Sequence, residues 1–218
     1  MIMQREIGLG EKVDMMRVVR VMQRTERDAR IMCNHLWEAS RVRAANDEST
    51  RWFCLHVEAG REFAVQNVLV EADIETFVAT ETAFMRAPGR SFMVEQDRAY
   101  LPGYVLVRCR PSAEAFDGLI RVKHVLGLVG GALEPHVIHD EEVLLFKRMA
   151  DGTETPRVAT DKSISQGCEA DINGGPFGGF RCVVLAVKWC RQARARVQIK
   201  VRGNPFEIEM PVAFLKKV

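Results

Sequence analysis

Leu101-Pro102-Gly103-Tyr104-Val105-Leu106-Val107 decides how the middle of this chain folds. Proline fixes φ at 102 and glycine permits a turn at 103, so Tyr104 enters a strand at a defined point. Side chains then alternate, which puts Tyr104 and Leu106 on one face and Val105 and Val107 on the other. Upstream, Trp52-Phe53-Cys54-Leu55-His56-Val57 reads as a compact strand ended by Gly60. Residues 61–72 read as a helix with Ala64, Val65, Val68, Leu69 and Ala72 inward, and 74–84, rich in Thr, Val and Phe, as a second strand region. Ala87-Pro88-Gly89-Arg90 marks a turn or hairpin tip. Downstream, Ser112 opens a helix to Ile120, and 125–129 form a strand closed by Gly130-Gly131. Asp140-Glu141-Glu142 start a helix to about residue 149, where carboxylates suit the helix dipole. This order of elements is that of an α+β fold, with helices packed on an antiparallel sheet.

On the amino-terminal side, residues 11–44 carry Met15, Val18, Met22, Ala29, Met32, Leu36 and Ala39 close to one helical face, with Arg17, Arg20, Arg24 and Arg27 on another. Asn46-Asp47-Glu48-Ser49-Thr50 breaks the pattern. The apolar stripe calls for cover, and docking on the first domain or self-association is favoured over a free basic arm. On the carboxy-terminal side, 151–163 reads as a linker. Beyond it the period is two, through 182–187, 195–201 and 206–210, as expected of a small β-barrel. The divisions are thus a helical extension over 1–50, an α+β domain over 51–150, a linker over 151–163 and a barrel over 164–218.

The 218 residues include 31 Lys and Arg against 29 Asp and Glu, with 47% hydrophobic and 28% charged side chains. Those fractions exclude a wholly disordered or collagen-like chain. No apolar run approaches the ~20 residues of a membrane span, and no signal-type stretch stands at the amino terminus. A cytoplasmic protein without a membrane partner is expected. Cysteines 33, 54, 109, 168, 182 and 190 form no CxxC pair and read as reduced, mostly buried thiols.

Catalytic chemistry finds no support. His136 with His139, and Cys33 with His35, lack the further ligands that zinc requires. The glycines from 174 to 179 lack the Lys-Ser/Thr of a phosphate loop and lead into a strand. Glu141 and Glu142 are adjacent and splay apart on a helix. No enzyme activity, metal or cofactor is expected.

Three stretches carry a family resemblance: Arg51-Trp52-Phe53 before Ala59-Gly60; Leu101 to Val107 followed by Val125-Leu126-Gly127-Leu128-Val129-Gly130-Gly131; and Gly174-Gly175-Pro176-Phe177-Gly178-Gly179-Phe180. In this order they resemble the NusG family of transcription elongation factors, over about residues 51–218. The resemblance implies a NusG-type amino-terminal domain and a KOW-motif SH3-like barrel. It also implies a transcription elongation or antitermination role, with the first domain on RNA polymerase and the barrel recruiting Rho or a ribosomal protein. By that resemblance Trp52, Leu101, Pro102, Tyr104 and Leu106 form the polymerase-binding face, with the Tyr104 pair as an exposed apolar patch. Gly175, Phe177 and Phe180 form the barrel's partner site, with both rings on its surface or rim. The sequence departs from the family at Leu101, where an aromatic is common, and at Val201-Arg202-Gly203. The alternative is a KOW-type RNA-binding or ribosome-associated protein that does not ride on polymerase.

The last third holds 11 basic and 7 acidic residues. Lys188, Trp189, Arg191, Arg194, Arg196, Lys200 and Arg202 are candidates for nucleic-acid contact. Arg194, Arg196, Lys200 and Arg202 share strand parity, so the cations line the barrel's outside while Ala195, Val197, Ile199 and Val201 fill it.

Overall fold

A computed structural model of the chain describes residues 15–45, 48–86, 93–150, 163–189 and 193–218. The first elements are α1 (Met15–Glu38) and a short α2 (Arg41–Ala44). Then follow β1 (Arg51–Val57), α3 (Glu62–Glu71), β2 (Glu75–Phe77), β3 (Thr80–Arg86), β4 (Met93–Ala99) and β5 (Tyr104–Cys109). After them come α4 (Ala113–Ile120), β6 (Val125–Leu128), β7 (Val137–Ile138) and α5 (Asp140–Ala150). The last part comprises β8 (Glu169–Ile172), β9 (Arg181–Lys188), β10 (Arg194–Val201), β11 (Asn204–Pro211) and β12 (Leu215–Lys217).

The fold is α+β followed by a small all-β barrel, as the sequence pattern requires. One antiparallel sheet runs β2-β5-β1-β6, with β7 also on β1, and a second runs β11-β10-β9-β8-β12. The strands β3 and β4 pair only with each other. Alternation divides the first sheet cleanly. Phe53, Leu55, Val57, Val105, Val107 and Cys109 pack towards α1, α3 and α4, while Trp52, Cys54, Tyr104 and Leu106 belong to a cluster that includes the barrel's core. Burial pushes the thiols of Cys54 and Cys109 up, the latter to about 12, so both stay protonated at neutral pH.

Several elements differ from the sequence pattern. The first helix breaks at Ala39 and Ser40, where Arg41 donates its backbone N–H to the Asp73 carbonyl at 2.8 Å. The region 74–84 is two strands, because Val78 and Ala79 leave the sheet and β3 takes β4 as its partner. In α3 the buried residues are Glu62, Val65 and Leu69, whereas Ala64 and Val68 are exposed. Glu62 is buried because its carboxylate accepts the backbone N–H groups of Gly60 at 2.9 Å and Gly103 at 2.6 Å. At Gly103 φ is +85°, the left-handed turn that the Pro-Gly pair supplies. The strands β4, β7, β8 and β12 lack a clear alternating pattern in sequence. The turn expected over 87–90 and almost all of the linker lie outside the described residues.

The carboxy-terminal half of α1 docks on α4. Leu36 and Ala39 are buried, Met32 is half-buried, and His35 Nδ1 lies 2.8 Å from the Asp117 carboxylate. Gly118 permits the approach: a Cβ there would stand 2.7 Å from the His35 carbonyl carbon and the Leu36 nitrogen. The expected docking thus holds for half of the helix. Met15, Met16, Val19, Val21 and Met22, further along it, are exposed.

Because backbone atoms cannot yield as side chains do, Gly118→Val should destabilise the protein by about 1–3 kcal/mol. At this chain length that lowers Tm by roughly 2–4 °C per kcal/mol. An unchanged Tm by calorimetry would mean that α1 is not clamped at this glycine.

Candidate functional site

The expected polymerase face is not an open patch. Trp52, Leu101, Tyr104 and Leu106 are each under 5% exposed, and Pro102 is half-buried. An antiparallel sheet can leave one face to water only when that face is polar. This second face is apolar and aromatic, and the barrel together with α5 covers it.

Tyr104 is the central contact. Its hydroxyl donates to the Glu207 carbonyl at 2.9 Å, and its ring meets Phe177 edge-on with centroids 5.3 Å apart. His56, one strand over, stacks on Tyr104 and meets Phe206 edge-on. Tyr100 lies between Phe146 of α5 and Phe214 of the barrel. Lys147 places its ammonium over the Trp52 and Phe77 rings at 5.0 and 5.2 Å. The residual void beside Tyr104, Leu106 and Pro176 is about 10 Å³, at the lower limit for holding one water.

At one side of this seam Arg194 is buried. Its Nη1 donates to Glu81 Oε1 at 2.9 Å, its Nε to Glu209 Oε1 at 2.9 Å, and its Nη2 to the Tyr100 carbonyl at 2.7 Å. Glu81 also accepts from Arg98 Nε at 2.6 Å. Burial, opposed in part by Arg194, pushes the Tyr100 hydroxyl up to about 12. Elsewhere Arg202 pairs with Glu134, and His136 meets Phe180 edge-on at 4.9 Å.

The other expected residues fall into two groups. Phe177, expected at the barrel surface or rim, is 1% exposed beneath Tyr104, because the first sheet lies over it; Phe180 is half-buried. Gly175 is buried with φ at +75°, and Phe214 and Phe146 lie against it. Of the basic row, Lys188, Trp189, Arg196 and Lys200 are exposed, Arg202 is exposed but paired, and Arg194 is locked in the seam. Arg191 lies outside the described residues. The parity reading placed Arg194 correctly outside the barrel but not beneath another sheet. Sequence reasoning did not single out Glu81, Glu207, Glu209 or His56. The signal available was the unbroken apolar run in β1 and β5, which marks strands covered on both faces.

Among the described residues no three His, Cys, Asp or Glu side chains converge as metal ligands, and no helix is long and apolar enough to cross a membrane. A cavity of about 790 Å³ is an open mixed-charge basin between Arg41, Arg51 and Arg108 on one hand and Glu48, Glu75 and Asp140 on the other. It shares none of the expected site residues.

Burial lowers the His56 and His136 imidazoles below their usual range; at His136 the Glu142 carboxylate and the Pro176 carbonyl oppose it in part. Their contribution to closure is present above the ordinary imidazole value of about 6.5 and is lost as pH falls through the lower value in the seam. The radius of gyration by solution scattering should therefore rise between about pH 7.5 and 5, and His56→Gln/His136→Gln should flatten that response. A radius independent of pH would remove both histidines from the control of closure.

Comparison with known proteins places these elements among relatives. The family model described as "Transcription termination factor nusG" matches residues 50–147. The chain is 27% identical to the transcription termination/antitermination protein NusG of Vibrio vulnificus over 180 residues, covering 77% of this chain and 96% of the relative. It is also 27% identical to the NusG of Pseudomonas aeruginosa, covering 77% of this chain and 98% of the relative. A solved structure described as "Domain interaction in Thermotoga maritima NusG" aligns with a TM-score of 0.41 at 22% identity, over 78% of this chain and 97% of that one.

Proposed function

We propose that the chain is a NusG-family protein, a reading supported by the family-model match over residues 50–147 and by relatives 27% identical over 77% of the chain, and on that premise a non-catalytic transcription elongation or antitermination factor. It binds RNA polymerase through the face built from Trp52, Leu101, Pro102, Tyr104 and Leu106. The observation that supports this reading is the second face of the first sheet. It is apolar, it is opposite the helices, and the barrel covers it through aromatic contacts and the Arg194 pairs. Polymerase and barrel compete for that face, so binding requires the barrel to move away. The same movement uncovers Phe177, the aromatic centre of the barrel's own partner site for Rho or a ribosomal protein. A closed form of this kind lowers apparent affinity by the fraction of molecules that are open.

Separating the lock from the face tests this. Arg194→Ala leaves every residue of the proposed face in place and removes the buried pairs. Apparent affinity of the full chain for core RNA polymerase should rise about tenfold for each ~1.4 kcal/mol of closure lost. Adding Tyr104→Ala to that background should reverse the gain by ~1–3 kcal/mol, as for an interface anchor. If Arg194→Ala opens the molecule by scattering but polymerase still does not bind, the docking face is wrong. RNA binding by the barrel alone would then be the better reading.

A further inference from the structure

The extension has a surface that the polymerase reading does not use. Arg17, Arg20, Arg24, Arg27 and Arg30 follow one another along α1 at steps of three, four, three and three residues. At 100° per residue they fall within an arc of about 140°, on the side away from Val18, Met22, Ala29 and Leu36. Along the axis they span about 20 Å. All five are exposed, and Arg20, Arg24, Arg27 and Arg30 have no ion-pair partner among the described residues. Glu26 and Asp28 lie outside the arc, and Glu38, at the helix end, is engaged by Arg43 at 3.0 Å. The orientation is imposed. Leu36, Ala39 and the Gly118 contact clamp the carboxy-terminal half on α4, which fixes the rotation of the whole helix and leaves the arginine face in solvent.

We propose that this face binds the phosphate backbone of duplex DNA, without reading its sequence. Every cation on the helix is arginine, whose planar fork takes phosphate oxygens two at a time and is less strongly hydrated than an ammonium. A row about 20 Å long runs beside roughly six base-pair steps of duplex, whose two backbones, at about 1.7 Å of axis per charge, present more phosphates than the row has arginines. A rigid helix of 10–12 Å diameter suits the major groove, about 12 Å wide. Single strands are held by aromatic stacking beside the cations. No Phe, Tyr or Trp occurs in α1 before Trp37, and the His35 imidazole is engaged by Asp117, so this face lacks what a single strand needs.

Fluorescence anisotropy of the full-length protein with a duplex of about 30 base pairs, between about 50 and 200 mM salt, tests the proposal. The wild type should show a log–log salt slope of about −4. Arg20→Gln/Arg24→Gln/Arg27→Gln/Arg30→Gln should weaken binding at least tenfold at the lower salt and flatten the slope by about 3–4. The matching four Arg→Lys changes keep the charge and should keep most of the slope. Single Arg24→Gln, whose fold is not in question, should flatten it by about one. Arg196→Gln/Lys200→Gln in the barrel should leave it unchanged. A slope that follows the barrel variant instead of the helix variants overturns the proposal. So does single-stranded RNA of the same length binding as tightly as the duplex, or a wild type that binds no duplex at low salt.

Discussion

A guanidinium that is 5% exposed, held between Glu81, Glu209 and the Tyr100 carbonyl, fixes how the barrel meets the β3–β4 hairpin and the turn at Tyr100. Burying such a charge is costly unless its donors are matched, and removing one partner of a buried pair typically costs about 3–5 kcal/mol. The closed arrangement therefore tolerates little sliding. Glu81 belongs to the β3–β4 hairpin and Glu209 to β11, so Arg194 sets one against the other, and Arg98 holds Glu81 from its own hairpin. With that register set, Tyr104 reaches the Glu207 carbonyl and Phe177, and Tyr100 reaches Phe214. The polar lock contributes direction, and the aromatic contacts contribute buried area.

The need for a cover arises earlier, in the two central strands. Helices protect Phe53, Leu55, Val105 and Val107 on one face. The opposite face has Trp52, Cys54, Tyr104 and Leu106, which no helix except α5 approaches. Such a face requires an apolar partner wherever it is, and in this structure the partner is the barrel. For the proposed exchange of that cover, what matters is its composition. A tyrosine hydroxyl, two half-buried histidines and an arginine cross the seam, and each of them can be hydrated again when the sheets part. A seam built of leucine and valine alone would have no such route.

Much of the fold was legible because local rules act locally. The strand entering at Tyr104, the helix opened by Ser112, whose hydroxyl accepts from Ala115 N–H at 3.1 Å, and the alternating rows of the barrel all follow from turn chemistry and periodicity. The short strands β7, β8 and β12 were not legible, since two to four residues cannot display a period. The site was legible as a set of residues but not in its surroundings. Alternation states that Arg194 points out of the barrel and that Tyr104 points away from the helices; it cannot state that the two directions meet. Phe177 illustrates the same limit. Glycines on either side suggested a ring free to lie on the rim, and a second sheet covers it. Glu62 was hidden for a different reason: a carboxylate that accepts the N–H of Gly60 beside it and of Gly103, 41 residues away in sequence, has no local signature.

The barrel's charge depends on the same seam. Of its cationic row, Arg194 and Arg202 are engaged by Glu81 and Glu134, carboxylates of the first part of the chain, while Arg196 and Lys200 remain exposed. Parting the two halves would separate Arg194 from Glu81 and Arg202 from Glu134 in a single event, while Arg194 keeps Glu209 within the barrel and Glu81 keeps Arg98 within its hairpin. An anionic ligand of the barrel meets more positive charge in the open form than in the closed one. By linkage it favours opening to the extent of that difference, and whatever holds the first sheet open strengthens the barrel's hold on the anion by the same factor. An apolar ligand of the first sheet and an anionic ligand of the barrel would thereby be coupled through Arg194 and Arg202. The coupling needs no path through the protein interior, because both surfaces are covered and uncovered by the same contact.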